Sequence, residues 1–167
     1  MISSEAVPFA KSGGLGDVVS ALAKELHNAG HDVRIILPRY YNIDRDKLQL
    51  MPQPLGVPLG FGEEWTAVYT TKLLDSEVPV YFLDNEHLFG RKGIYGPTPD
   101  SEYPDNAKRF TLLSRGAFQL CKLLGWIPDI MHAHDWPAAM VPVYLYTWER
   151  ETVFSNTAGI FTIHNLG

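Results

Sequence analysis

Apolar residues recur along this chain in two kinds of block, and the blocks alternate. Over 17–29, Val18, Leu22, Leu26 and Ala29 fall at the three- and four-residue spacing of one helix face, with Gly30 as the stop just beyond. Positions 33–37 form a short apolar run, broken only by Arg34 and ended by Pro38, which predicts a buried strand. Between 48 and 74 the pattern changes. Pro52, Pro54 and Pro58, with three glycines, lead into the alternating Trp65-Thr66-Ala67-Val68-Tyr69, which predicts antiparallel hairpins. A second buried strand follows at 78–83.

The stretch 84–104 is polar and aromatic and carries Gly90, Gly93 and Gly96; a loop of that length inside a compact domain is usually functional or mobile. Asp105 or Asn106 then caps a long helix with the stripe Phe110, Leu113, Ala117, Leu120 and Leu124, stopped by Gly125. Ile130-Met131 leads a strand into His132-Ala133-His134-Asp135-Trp136. Pro137 suits the first turn of a helix carrying Val141, Leu145 and Trp148, which Pro142 bends or starts late. A last strand spans 159–163. This alternation predicts an α/β fold in one domain over 1–167: a doubly wound, mostly parallel, Rossmann-like sheet with an inserted antiparallel hairpin region. Such sheets bind ligands beyond the carboxyl ends of their strands. The polar clusters fall there: the Lys11 loop, Asp84-Asn85, His132 to Asp135, and His164-Asn165.

Composition narrows the function classes. With 46% apolar and 20% charged residues, the chain is neither disordered, collagen-like nor a disulfide miniprotein. A net charge of −5 argues against nucleic acid as a partner. No apolar run approaches the ~20 residues of a membrane span, and the first residues lack the basic and apolar regions of a signal peptide. Cys121, the single cysteine, allows no internal disulfide and suggests a reducing compartment; its apolar helical setting predicts an inert buried thiol. Met1-Ile2-Ser3-Ser4 reads as the end of a strand, and Thr162-Ile163-His164-Asn165-Leu166-Gly167 stops as a strand delivers polar residues. Both ends predict a piece of a longer chain.

The glycine-rich run Val7-Pro8-Phe9-Ala10-Lys11-Ser12-Gly13-Gly14-Leu15-Gly16 is the first candidate site. Gly13, Gly14 and Gly16 let the backbone approach a ligand, and the helix behind them adds partial positive charge, which together form an anion seat. Lys11 adds a full charge. A charged hydrogen bond contributes about 1.5–3 kcal/mol against roughly 0.3–1 for a helix end, so Lys11 is the larger single contribution. The spacing matches neither a Walker A loop nor the dinucleotide fingerprint. The plain alternative is a tight strand-to-helix turn with Lys11 in solvent.

Other residues carry paired readings. His132 suits a satisfied core position, and His134 suits either a structural or a site role. His164 emerges at a strand end beside Asn165. Asp135 either serves a site or caps the helix at Pro137. A hydrolase-like carboxylate pair of Asp135 with Asp84 or Asp105 is the rival sugar chemistry. Asp105 and Arg109 suit an exposed i,i+4 pair. Trp65, Trp126, Trp136 and Trp148 read as core or interface residues.

Lys11-Ser12-Gly13-Gly14-Leu15-Gly16-Asp17-Val18 resembles the N-terminal signature of glycogen and starch synthases. The likeness extends to Ser3-Ser4-Glu5 and Pro8-Phe9-Ala10 before it, and to His132-Ala133-His134-Asp135-Trp136, Val141-Pro142-Val143-Tyr144-Leu145 and Thr162-Ile163-His164-Asn165-Leu166 after it. The resemblance implies one of two doubly wound domains facing across a cleft, with the C-terminal nucleotide-binding domain absent. It implies transfer of glucose from a sugar nucleotide, commonly ADP-glucose, to the non-reducing end of an α-1,4-glucan with retention, with no metal or other cofactor. By the same resemblance Lys11 and the Gly13-Gly14 backbone contact the diphosphate, while His164, Asp135 and Asn165 surround the transferred glucose. Tyr95, Tyr103, Asp105, Asn106 and Arg109 then lie toward the acceptor glucan. The compartment implied is the bacterial cytoplasm or a plastid stroma, and the chain alone is expected to be inactive.

Three other readings compete. A dinucleotide module would set Arg39 on a 2′-phosphate. A metal-dependent hydrolase would use His132, His134, His164 and Asp135, though a strand-borne His-x-His lacks further ligands nearby in sequence. A non-catalytic module would bind glucan only.

Overall fold

The computed structural model describes residues 1–165; Leu166 and Gly167, which end the last quoted block, lie outside the described residues. Helix α1 spans Leu15–Asn28, two residues earlier than its apolar spacing suggests, because the turn begins directly on Gly14. Its buried face is therefore Leu15, Val19 and Ala23; Val18 is exposed, and Leu22 and Leu26 are half-buried. Strand β1, Ile35–Pro38, includes the proline that was expected to end it.

The hairpin region is β2 (Gln49–Leu50), β3 (Leu55–Leu59) and β4 (Gly62–Lys72), with β2 and β3 each antiparallel to β4. Strand β5, Pro79–Asp84, lies antiparallel to β4 and parallel to β1, so the hairpins extend the main sheet at its edge. A single turn, α2 (Glu86–Phe89), interrupts the expected loop. Helix α3, Asn106–Leu124, buries Phe110, Leu113, Ala117 and Leu120 as the stripe predicts, and Gly125 ends it in the left-handed conformation at φ 60°. Strand β6, Ile130–His134, pairs in parallel with β7, Ala158–Thr162.

A 3-10 turn at Trp136–Ala138 takes Pro137, and α4 begins late, at Met140–Tyr146, with Pro142 in its first turn. Val141 and Leu145 are buried, whereas Trp148 lies beyond the helix and is exposed. Trp65 and Trp136 are exposed too, so neither is a core residue; Trp126 is half-buried beneath the Arg34 guanidinium, 4.1 Å from its ring centre.

Ile2 unites the two sheets. It bridges Ile36 of β1 on one side and Ala133 of β6 on the other, both in parallel. Its N–H donates to His132 O at 2.8 Å, and its carbonyl accepts from His134 N at 3.0 Å. The strand order is thus β7-β6-Ile2-β1-β5-β4-β2, parallel from β7 to β5. That is the predicted doubly wound sheet, and its direction of winding reverses between Ile2 and β6. Helices α3 and α4 pack against each other and on this sheet. Each fully buried side chain, such as Leu37, Phe82 or Leu113, contributes about 1.5–3 kcal/mol through its transfer from water. Cys121 is among them, and burial pushes its thiol up to about 11.

Arg109 departs from expectation. It makes no exposed pair with Asp105 and is fully buried, where desolvation lowers the pKa of its guanidinium. It donates to Leu88 O at 2.7 Å, Ile94 O at 2.9 Å and Asn106 Oδ1 at 2.6 Å, with its guanidinium 4.8 Å from the Tyr103 ring centre. Asp105 instead takes a two-pronged contact from Arg91, at 2.8 and 2.6 Å. These bonds order the 91–103 loop from behind. Arg109→Met strands two carbonyls in the interior, each costing about 1–3 kcal/mol. We expect a loss of about 3 kcal/mol in urea unfolding, with faster tryptic cutting at Arg91 and Lys92 than at other basic residues.

Candidate functional site

The carboxyl ends of the Ile2 segment and of β6 and β7 converge where the winding reverses, the usual ligand position of such sheets. The Ile2 segment leads into Ser3-Ser4-Glu5 and the glycine loop, β6 into Asp135, and β7 into His164 and Asn165. Asp84 and Asn85, at the end of β5, lie on the hairpin side.

Glu5 organises the glycine loop. It is buried, and its carboxylate accepts from Ser12 N at 2.7 Å, Ser12 Oγ at 2.6 Å, Gly13 N at 3.3 Å and the Tyr95 hydroxyl at 2.7 Å. Part of the predicted anion seat is therefore filled by the protein's own carboxylate. The part that stays open is the start of α1. Gly14 occupies the cap position with φ −75° and ψ −15° and offers no side-chain cap to the first-turn N–H groups of the helix.

The three glycines of the loop differ in what the fold asks of them. A methyl on Gly16 would come 3.0 Å from Ala10 O, so Gly16 serves packing. A methyl on Gly13 or Gly14 would meet nothing within 4 Å, and neither has a positive φ. The fold itself does not require those two glycines. Their missing side chains keep space for something from outside the chain. Lys11 is half-exposed and paired with the equally exposed Asp17 at 2.7 Å, a contact worth roughly 0–1 kcal/mol that a ligand can exchange cheaply. A cavity of about 390 Å³ opens beside Lys11 toward Tyr41, Asn42, Lys92 and Ile94. A larger one, about 450 Å³, lies at the opposite, amino ends of β1 and β6, between Leu26, Trp126, Ile127 and Ile130; of the strand-end polar residues only His132 touches it, and the glycine loop, Asp135 and His164 do not line it.

Asp135 is strained. Its φ of 60° and ψ of 178° fall in a region that essentially only glycine adopts, a cost of about 1–3 kcal/mol. Its backbone is pinned by Asp135 N to Thr162 O at 2.9 Å and Ala138 N to Asp135 O at 3.0 Å. It stands at the cap of the 3-10 turn, yet its carboxylate makes no capping bond, contrary to the capping alternative. A carboxylate held in a costly conformation, with no hydrogen bond or ion pair among the described residues, is available to a ligand.

The histidines stack. His132 Nε2 lies 2.7 Å from Thr162 Oγ1, its ring centre 4.0 Å from that of His134. His134 Nδ1 lies 3.0 Å from Nε2 of the half-buried His164. Burial, then the neighbouring His132, pushes His134 down from the ordinary 6.5 to about 3. Among the described residues no three His, Cys, Asp or Glu side chains converge as a metal's ligands would.

The remaining predicted residues form a chain of contacts behind the glycine loop. Asn106 is buried; its Oδ1 accepts from Arg109, and its Nδ2 donates to Tyr95 O at 2.8 Å. The Tyr95 hydroxyl reaches Glu5 and lies 2.9 Å from Ser4 Oγ, and burial raises its pKa. The Tyr95 ring packs 5.6 Å from that of Trp136, which joins the loop to the end of β6. Tyr103 donates its hydroxyl to Lys92 O at 2.8 Å. Arg109 has no exposed surface and serves any bound ligand only by holding this loop. Glu5, Ser12 and Trp136 also stand at the site; the sequence motifs contain them, but no role there was expected of them. The rival carboxylates are occupied: Asp84 by Arg39 at 2.9 Å and Arg45 at 2.7 Å, Asp105 by Arg91. Arg39 also donates to Glu86 and Tyr40 O, which leaves no guanidinium for a 2′-phosphate.

Comparison with known proteins places this geometry. The family model of the starch synthase catalytic domain matches residues 1–167. A glycogen synthase of Treponema denticola is 52% identical over 100% of this chain and 34% of its own length. A glycogen synthase 1 of Geobacter sulfurreducens is 46% identical over 99% of the chain and 34% of its own length. In structure, the catalytic domain of starch synthase IV from Arabidopsis thaliana, bound to ADP and acarbose, superposes with a TM-score of 0.86 at 31% identity, over 97% of this chain and 32% of that one. The chain spans about a third of the length of these relatives.

Two outcomes follow from the strain and the burial. Asp135→Gly relieves the backbone and raises stability by about 1 kcal/mol net of glycine's greater freedom when unfolded, whereas Asp135→Ala does not; denaturant midpoints at unchanged slope distinguish them. Between pH 6.5 and about 3, the unfolded chain takes up a proton that folded His134 refuses. Stability therefore falls as pH drops through that window, on the order of a few kcal/mol in all, and His134→Asn removes this share of the slope in urea titrations from pH 7 to 4.

Proposed function

The chain belongs to the family of the starch synthase catalytic domain, and on that premise we propose that it forms the N-terminal wall of a retaining glucosyltransferase. Glucose passes from a sugar nucleotide, ADP-glucose, to the non-reducing end of an α-1,4-glucan. The bond from glucose C1 to the diphosphate oxygen breaks, a bond from C1 to the acceptor oxygen forms, and the acceptor's proton leaves on the diphosphate. The observation that carries this reading is the uncapped start of α1 behind Gly13 and Gly14, two glycines that the fold does not need. The relative bound to ADP and acarbose supports the choice of nucleotide and glucan.

In this reading the diphosphate lies along the Gly13-Gly14 backbone and the first turn of α1. Lys11 leaves Asp17 for it, exchanging an exposed pair for a charge-assisted bond worth about 1.5–3 kcal/mol. Asp135, His164 and Asn165 surround the glucose. Asp135 supplies negative charge where positive charge develops at C1, with no capping bond to surrender. Tyr103 and Asp105, which keep some surface, lie toward the glucan, while Tyr95 and Asn106 act from behind by holding the glycine loop and the loop before α3. The two-thirds of the relatives' length beyond this chain supplies the opposing wall and most of the nucleotide's contacts. The two glycogen synthases named are bacterial, which supports the cytoplasm as the compartment, and a reducing compartment suits the single Cys121.

Titration of the chain with ADP-glucose, followed by amide chemical shifts, tests this. Weak binding, in the millimolar range, should move Ser12, Gly13, Gly14 and the first turn of α1. Gly13→Ala should abolish those shifts while changing stability by under about 1 kcal/mol. Shifts confined to the Trp126 cavity, or none, would sink the assignment of the donor site. Submicromolar affinity or glucan synthesis by this chain alone would sink the division of labour with a second wall.

A further inference from the structure

His134 Nδ1 and His164 Nε2 face each other at 3.0 Å, with ring centres 5.3 Å apart and planes inclined by 30°. Two lone pairs or two N–H groups at that distance repel, so one nitrogen carries a proton and the other does not. His134 has no exposed surface. Its second nitrogen, Nε2, is sealed from solvent and has no hydrogen-bond partner among the described residues. A proton on Nε2 would be a buried donor with no acceptor, whereas a proton on Nδ1 has His164. Orphaned buried N–H groups are the rarer defect in folded proteins, so the proton belongs on Nδ1. The ring cannot turn away, because His132 stacks on it at 4.0 Å and is itself tied to Thr162.

We infer that His134 is a positioning residue: it donates Nδ1–H to Nε2 of His164 and so holds His164 as its Nδ1–H tautomer. His164, half-buried at the end of β7, then offers a ligand a hydrogen-bond donor and no free basic nitrogen. Resting on the proposed glucosyl-transfer reading, this gives His164 a specific task. It donates to an oxygen of the transferred sugar, which must act there as acceptor, and it is not the base that deprotonates the glucan hydroxyl.

The tautomer is directly visible in long-range proton–nitrogen spectra of the ¹⁵N-histidine-labelled chain, recorded without nucleotide or sugar. The unaltered protein should show His164 Nδ1 as the protonated nitrogen and Nε2 as the bare one. His134→Leu removes the donor, and the Nε2–H form of His164 should rise from a minor species to the major one. His134→Asn, whose amide N–H falls near the lost Nδ1–H, should keep the original pattern. A merely structural role for His134 would shift stability in both variants but would not sort the tautomers this way. His164 protonated on Nε2 in the unaltered protein, or unmoved by His134→Leu, overturns the inference. If His134→Leu does not fold, the unaltered and His134→Asn spectra still decide it. No donor is present in the measurement, so failed ADP-glucose binding would count against the function alone and leave the tautomer result standing.

Discussion

Everything about this protein's site depends on one short pairing, the parallel bridges that Ile2 makes to Ile36 and Ala133 at once. Without them the β1-β5-β4-β2 sheet and the β6-β7 pair would share no backbone hydrogen bonds among the named strands. With them the sheet is continuous, and the chain leaves Ile2 at the place where its winding reverses. Glu5 and the glycine loop are thereby set beside the end of β6, although more than a hundred residues separate them in sequence. The convergence of a loop, a carboxylate and a histidine stack is a property of that register.

The interior behind the site relies on bonds among groups that the fold keeps from water. Arg109 reaches Asn106, Asn106 reaches the Tyr95 carbonyl, and the Tyr95 hydroxyl reaches Glu5, which in turn holds Ser12 and Gly13. In a low-dielectric interior such a chain is stiff, because breaking any member leaves a desolvated partner. Rigid positioning of this kind lets the front of the site carry its costs: a strained Asp135 whose carboxylate makes no capping bond, and a helix whose cap residue is a glycine.

Much of the fold was legible because its signals are periodic. The α3 stripe, the alternating run of β4 and the parallel alternation of strands and helices stood in the residues themselves. The buried face of α1 was misplaced because its helix starts at Leu15, and a shift of one or two residues turns the inward face by one or two steps of about 100°. The pairing of Asp105 with Arg109 failed for a different reason. Local spacing allows it, but Arg91 competes from a loop whose path no periodicity reports, and Arg109 is drawn inward by three acceptors. In the site, the glycine run and the strand-end polar residues were legible as an anion seat and its neighbours. The role of Glu5 was not: it stands in the resembling Ser3-Ser4-Glu5, but nothing in spacing or periodicity shows that its carboxylate holds the glycine loop. Nor could spacing separate Gly16, which packing requires, from Gly13 and Gly14, which it does not.

The sealed thiol of Cys121 has a practical side. With its pKa at about 11, on the order of one thiol in ten thousand is ionised at neutral pH, and almost none of its surface meets solvent. A maleimide dye would therefore find the native protein silent. A single cysteine introduced at exposed Lys92, beside the Lys11 cavity, would be the one reactive thiol on a background that needs no prior removal of sulfur. The loop in front of the site can thus carry a lone fluorophore, and its approach to a ligand or to another domain can be followed as a distance in solution.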